Sequence, residues 1–169
     1  MKKIKIFSVF IIFALCFLCH FAYDFIPNFI TSIIFPVNES IFEHMKIILT
    51  SYLLYSILDY FLLKKYDINN FVLQMFLVPF IGIFVYLIIY IPLFNLLGEN
   101  MFVSISLLFL VIILEAYLSY KLLNYEHIKN GRILGIIGII ALYFMFGYLT
   151  YYPPTNYLFK DFKTNTYGI

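Results

Sequence analysis

The stretch FVLQMFLVPFIGIFVYLIIYIPLF, residues 71–94, decides the fold, because it runs for 24 residues without a charge. An apolar segment of about 20 residues is what a helix needs to cross roughly 30 Å of hydrocarbon. Helix is also the only economical backbone there: with no water at hand, each N–H and C=O must find its partner inside the segment. Working outward, comparable runs lie at 4–23, 43–63, 101–120 and 133–152. The composition agrees, since a chain that is 64% hydrophobic, 22% aromatic and 12% charged cannot cover itself with a soluble surface. The expected architecture is all-α, an integral membrane bundle of five transmembrane helices forming one domain over residues 1–169.

The connections KKYDINN (64–70), NLLGEN (95–100) and KLLNYEHIKNGR (121–132) are short and polar, whereas the first runs from Asp24 to about Phe42. Lysines and arginines at the span ends set the direction. With the N-terminus cytoplasmic, Lys2, Lys3, Lys5, Lys64, Lys65, Lys121, Lys129 and Arg132 lie inside, against Lys46, Lys160 and Lys163 outside. The expectation is N-terminus in and C-terminus out, with the first loop, NLLGEN and the tail extracytoplasmic. Lys2, Lys3 and Lys5 before an apolar run resemble a signal peptide, but no small-x-small cleavage site follows, so the run reads as an uncleaved first span. The lipid bilayer is the expected partner. Nucleic acid is not, because the net charge is only +2 and the basic residues form no stripe. Cys16 and Cys19 lie within the first apolar run, where packing is a better reading than redox or zinc chemistry.

Polar chemistry is concentrated in FPVNESIFEHMK, residues 35–46. The topology brings His20 and Asp24, at the end of the first span, to the same membrane face as Asn38, Glu39, Ser40, Glu43 and His44. Ser40-x-x-Glu43 reads as a capping box, and an acid in the first turn suits the positive end of the helix dipole. Capping leaves His44 unexplained. His20, Glu39 and His44 are therefore candidate ligands for a divalent metal, zinc or manganese, with Glu43 the candidate base of an interfacial hydrolase. The inverted zinc-protease spacing is met only as Ser40-x-x-Glu43-His44, with Ser at the first ligand position. The leading reading is a non-enzymatic membrane component in which the cluster orders the outer surface and binds a small ligand or partner.

Two acids, Asp59 and Glu115, fall inside spans and need partners. Snorkelling toward Lys64 and Lys121, a proton shared between the acids, or a relay in a proton-coupled carrier would each supply them. His44, Ser51, Tyr55 and Asp59 share one stripe of the second span, with Tyr52 at its margin. Gly131, Gly135 and Gly138 make a face that a neighbouring helix can approach closely, in this chain or in a second copy or membrane partner. Pro79 with Gly82 marks an expected kink, and no inverted repeat divides the five unequal spans.

FPVNES-x-x-EH, together with Pro153-Pro154, Leu158-Phe159-x-Asp161 and Tyr167-Gly168-Ile169, resembles a family of small bacterial multi-pass membrane proteins of unknown function. The pattern departs from that family at Phe42, where Trp is usual, and at Phe162, where Pro is usual. The resemblance brings no activity. It implies a bacterial plasma membrane and a tail that belongs to the fold. Physics points the same way: Pro153-Pro154 ends the last helix, and Tyr157, Leu158, Phe159 and Phe162 are too apolar for a free extension. Residues 153–169 are expected to pack on the outer surface.

Overall fold

A computed structural model describes residues 1–169. The chain forms α1 (Lys2–Phe25), α2 (Phe29–Ile34), α3 (Ile41–Leu63), α4 (Phe71–Leu97), α5 (Met101–Leu123) and α6 (Gly131–Tyr151). All but α2 are long and apolar enough to cross a membrane, which makes this a multi-pass membrane protein. Large apolar side chains such as Phe7, Leu18, Phe84, Ile140 and Phe144 cover the outside of the bundle, where lipid is the matching solvent. The helices overrun the apolar runs by up to three residues, because a helix continues until a cap or turn stops it rather than where hydrophobicity ends.

α1 packs on α3 and α5, α4 packs on α5 and α6, and α3 lies between α1 and α4. That central position explains why α3 carries most of the polar side chains and yet buries them, among them Glu43, Lys46, Thr50, Ser51, Ser56 and Asp59. Two apolar clusters meet along it. One joins Ile12, Cys16 and Cys19 to Tyr52, Val78 and Ile112, and the other joins Met45, Ile48 and Leu49 to Tyr86, Val111 and Phe146. Both cysteines are free and buried, as packing residues are.

One expectation is corrected. The glycine face of α6 is not a surface for a second copy: Gly131 lies on Leu73, Gly135 on the Val72 carbonyl and Gly138 on the Phe76 ring, so α4 of the same chain fills it. α4 runs as one helix through Pro79 and Pro92, and the missing side chain of Gly82 leaves room for the Glu115 carboxyl. The long first connection contains α2, which starts at a capping box in which Asn28 accepts from the Thr31 N–H while the Thr31 hydroxyl accepts from the Asn28 N–H.

At one end of the bundle the first connection and the tail meet. Phe42 N–H donates to the Leu158 carbonyl at 2.9 Å, Ile169 N–H to the Thr150 carbonyl at 3.2 Å, and Phe159 stacks on Phe42 with ring centroids 4.5 Å apart. The tail folds on itself through an antiparallel bridge between Lys160 and Tyr167. At the other end, Asn70 adopts the left-handed conformation and its side chain ties the Leu122 carbonyl in the last turn of α5 to the Glu126 carbonyl and Ile128 N–H of the α5–α6 connection.

Candidate functional site

His20, Glu39 and His44 converge where α1 ends and α3 begins. Asn38 sets the approach: its side-chain oxygen accepts from the Ser40 N–H at 2.9 Å and its amide donates to the Gly168 carbonyl at 3.0 Å. The Glu39 N–H in turn reaches the Asp161 carboxylate of the tail at 3.4 Å. Glu39 Oε2 then lies 3.4 Å from His44 Nε2 and 3.7 Å from His20 Nε2, while Oε1 meets Lys163 Nζ at 3.0 Å. The imidazole rings stand edge to face with centroids 5.1 Å apart, and one ligand atom from each of the three residues lies within 4.8 Å of the others. All three side chains are half-buried.

His44 Nδ1 sits 2.8 Å from the Ser40 carbonyl. A carbonyl can only accept, so Nδ1 carries a proton, and Nε2 is the nitrogen left either to donate to Glu39 or, without its proton, to ligate a metal. Backbone carbonyls orient metal-binding histidines in this way. The hydrogen bond with His44 pulls the Glu39 pKa down to about 2, against the opposing effect of partial burial and with further help from Lys163 and His20. The same contact with Glu39 raises Lys163 above its ordinary value.

The rest of the sequence-selected cluster divides away from this trio. Ser40 caps α3 by accepting from the Glu43 N–H at 3.3 Å, but the capping box is only half made. Asn38 takes the Ser40 N–H, and the Glu43 carboxylate turns inward instead. There Glu43 Oε2 accepts from Lys46 at 2.6 Å and from the Val37 N–H at 3.0 Å, and Oε1 accepts from the Thr150 hydroxyl at 2.7 Å. Lys46, fully buried, also donates to the Ser32 carbonyl at 2.7 Å and to Thr150 at 2.6 Å. Sequence reasoning had counted Lys46 only as a positive charge, although the Glu43-x-x-Lys46 spacing marks an i,i+3 pair. Asp24 is exposed and makes no side-chain hydrogen bond.

A cavity of about 350 Å³ adjoins the trio. His20, Glu39, His44, Glu99 and Lys163 supply its charged or ionisable lining, whereas 12 of its 19 lining residues are hydrophobic, which makes it amphiphilic. Glu43 does not line it. Of the intramembrane acids, Asp59 pairs with Lys5 of α1 and accepts from Tyr55 at 3.2 Å, not with Lys64. Glu115 is fully buried and neither of its oxygens has a hydrogen-bond partner. Beside it the Gln74 oxygen accepts from Tyr52 and Ser119, while the Gln74 amide nitrogen is also without a partner.

No curated protein and no solved structure matches the chain. One family does match, over every residue from 1 to 169, and like the family that the sequence resembles it has no assigned activity. The five-helix bundle with its half-buried His-Glu-His trio therefore belongs to the family of unknown function DUF6512.

Proposed function

We propose that this protein binds a divalent cation, zinc or manganese, through His20, Glu39 and His44 on the extracytoplasmic side of a bacterial plasma membrane. The observation that carries the reading is the convergence of three ligand atoms within 4.8 Å, with the His44 tautomer set by the Ser40 carbonyl. Two imidazole nitrogens and one carboxylate oxygen suit both metals, and a three-residue set leaves a coordination position open toward the cavity. A carboxylate ligates in its ionised form, and Lys163 at 3.0 Å from Glu39 favours that form.

The outward assignment follows from charge. Lys5 and Lys46 are both buried in ion pairs, so each drops out of its side's tally and the balance of eight against three becomes seven against two. A hydrolase using Glu43 as base gains no support from a carboxylate held behind the trio by Lys46 and Thr150. A proton carrier through Asp59 would have to break its pair with Lys5 on every cycle.

The test is titration of chelator-stripped protein with zinc and manganese chloride, followed by calorimetry and metal analysis. One equivalent should bind. His44→Ala and His20→Ala should weaken binding beyond the ~10 to 100-fold that outer-shell changes cost, and Asp24→Asn should leave it unchanged. Absence of binding, or a His44→Ala protein that binds as the parent does, defeats the reading.

A further inference from the structure

The cavity beside the trio has two chemistries. Its polar end holds Glu39, Glu99, Lys163 and the two histidines, with Asn100 close by in sequence and in the lining. Its other end is walled by Cys16 and Ile47 and, from α5, by Ile105 and Leu108. The rim is also informative. Phe17 and Phe21 of α1 and Met101 of α5 line the cavity and are exposed on the outside of the bundle, at 43%, 49% and 76%. Deeper in the bundle α1 and α5 close on each other through Val9, Ile12, Ile112 and Ala116. The cavity thus lies in the outer part of the seam between α1 and α5, with exposed apolar side chains of both helices at its rim. Its volume lies at the lower end of the ~300 to 1,000 Å³ typical of small-molecule sites.

Charge selects the headgroup. Glu39 and Glu99 contribute two negative charges and Lys163 one positive, so the bare site is net negative. A divalent cation on the trio reverses the sign to net positive and offers an open coordination position. From this we infer that the cavity takes a single-chain amphiphile with an anionic, phosphate-type headgroup. The headgroup sits on the cation beside Lys163, and the chain lies between α1 and α5. The inference rests on the metal reading above and adds the ligand class to it.

Calorimetry on the full chain in phosphatidylcholine nanodiscs, with empty nanodiscs subtracted, tests it. The probes are decyl phosphate, inorganic phosphate and decyltrimethylammonium, each with and without zinc. Zinc-loaded protein should bind decyl phosphate at least tenfold more tightly than inorganic phosphate and should not bind the ammonium amphiphile. Zinc-free protein, with its net negative site, should bind neither phosphate and should hold decyltrimethylammonium more tightly than the zinc-loaded protein does; the same ammonium affinity with and without zinc would overturn the charge reversal. Ile105→Trp, which fills the apolar end, should lose decyl phosphate by more than tenfold while keeping one equivalent of zinc. If that variant loses zinc as well, the comparisons on the unaltered chain decide alone. Zinc binding with no preference for decyl phosphate over inorganic phosphate, which would mark a free-phosphate site, overturns the amphiphile and leaves the metal reading standing. Decyl phosphate binding that ignores zinc also overturns it, and failure of zinc to bind removes both.

Discussion

Lys46 and Glu43 show how single side chains partition the polar end of the bundle. A buried ammonium is costly, and this one is tolerated because Glu43, Thr150 and the Ser32 carbonyl surround it at 2.6 to 2.7 Å. Lys46→Met should leave the Glu43 carboxylate buried beside only Thr150 and the Val37 N–H, at a cost of about 3 to 5 kcal/mol. The Lys46→Met/Glu43→Gln double variant should recover much of that loss, because no uncompensated charge remains. Unfolding in mixed detergent, followed by circular dichroism, measures both; a double variant less stable than the single would contradict the pairing. The trio was legible in the sequence because topology alone carries His20, Glu39 and His44 to one membrane face. The inward turn of Glu43 was not, since it depends on Thr150, 107 residues away on α6. The same holds for Asp59, whose partner lies on α1 and not one turn along its own helix.

Among the elements, the α4–α6 contact is the tightest and the most readily tested. A Cβ on Gly135 would collide with the Val72 carbonyl, which is backbone and cannot step aside. One on Gly138 would meet the Phe76 ring, and one on Gly131 would sit 3.3 Å from a leucine methyl. The cost of Gly→Ala should therefore fall in the order Gly135, Gly138, Gly131, with the first in the ~1 to 3 kcal/mol range of overpacking or above it. Melting temperatures of the three single variants check the order, and equal shifts would reject it. The five spans were legible because hydrocarbon leaves the backbone so few alternatives. The glycine spacing announced a close contact but carried no information about which helix would fill it. α2 escaped notice because six residues are too short for a period to show, although Asn28-x-x-Thr31 had the form of a cap.

For the molecule as a whole, the tail ties the ends of three elements together. Gly168 holds Asn38, Asp161 holds the Glu39 N–H, Ile169 bonds Thr150, and Phe162 packs on Phe94 with centroids 5.1 Å apart. Removal of residues 161–169 should speed amide hydrogen exchange at 38–42 by at least tenfold and leave the middles of α4 and α5 unchanged. Uniform acceleration across all helices would show instead that the tail supports the entire bundle. The Lys5–Asp59 pair links groups 54 residues apart on α1 and α3. During biogenesis the ammonium is made long before its counter-ion emerges from the ribosome. Until α3 arrives the ammonium lacks its partner, and its place in the first turn of α1 lets it wait among the headgroups before it is drawn into the bundle.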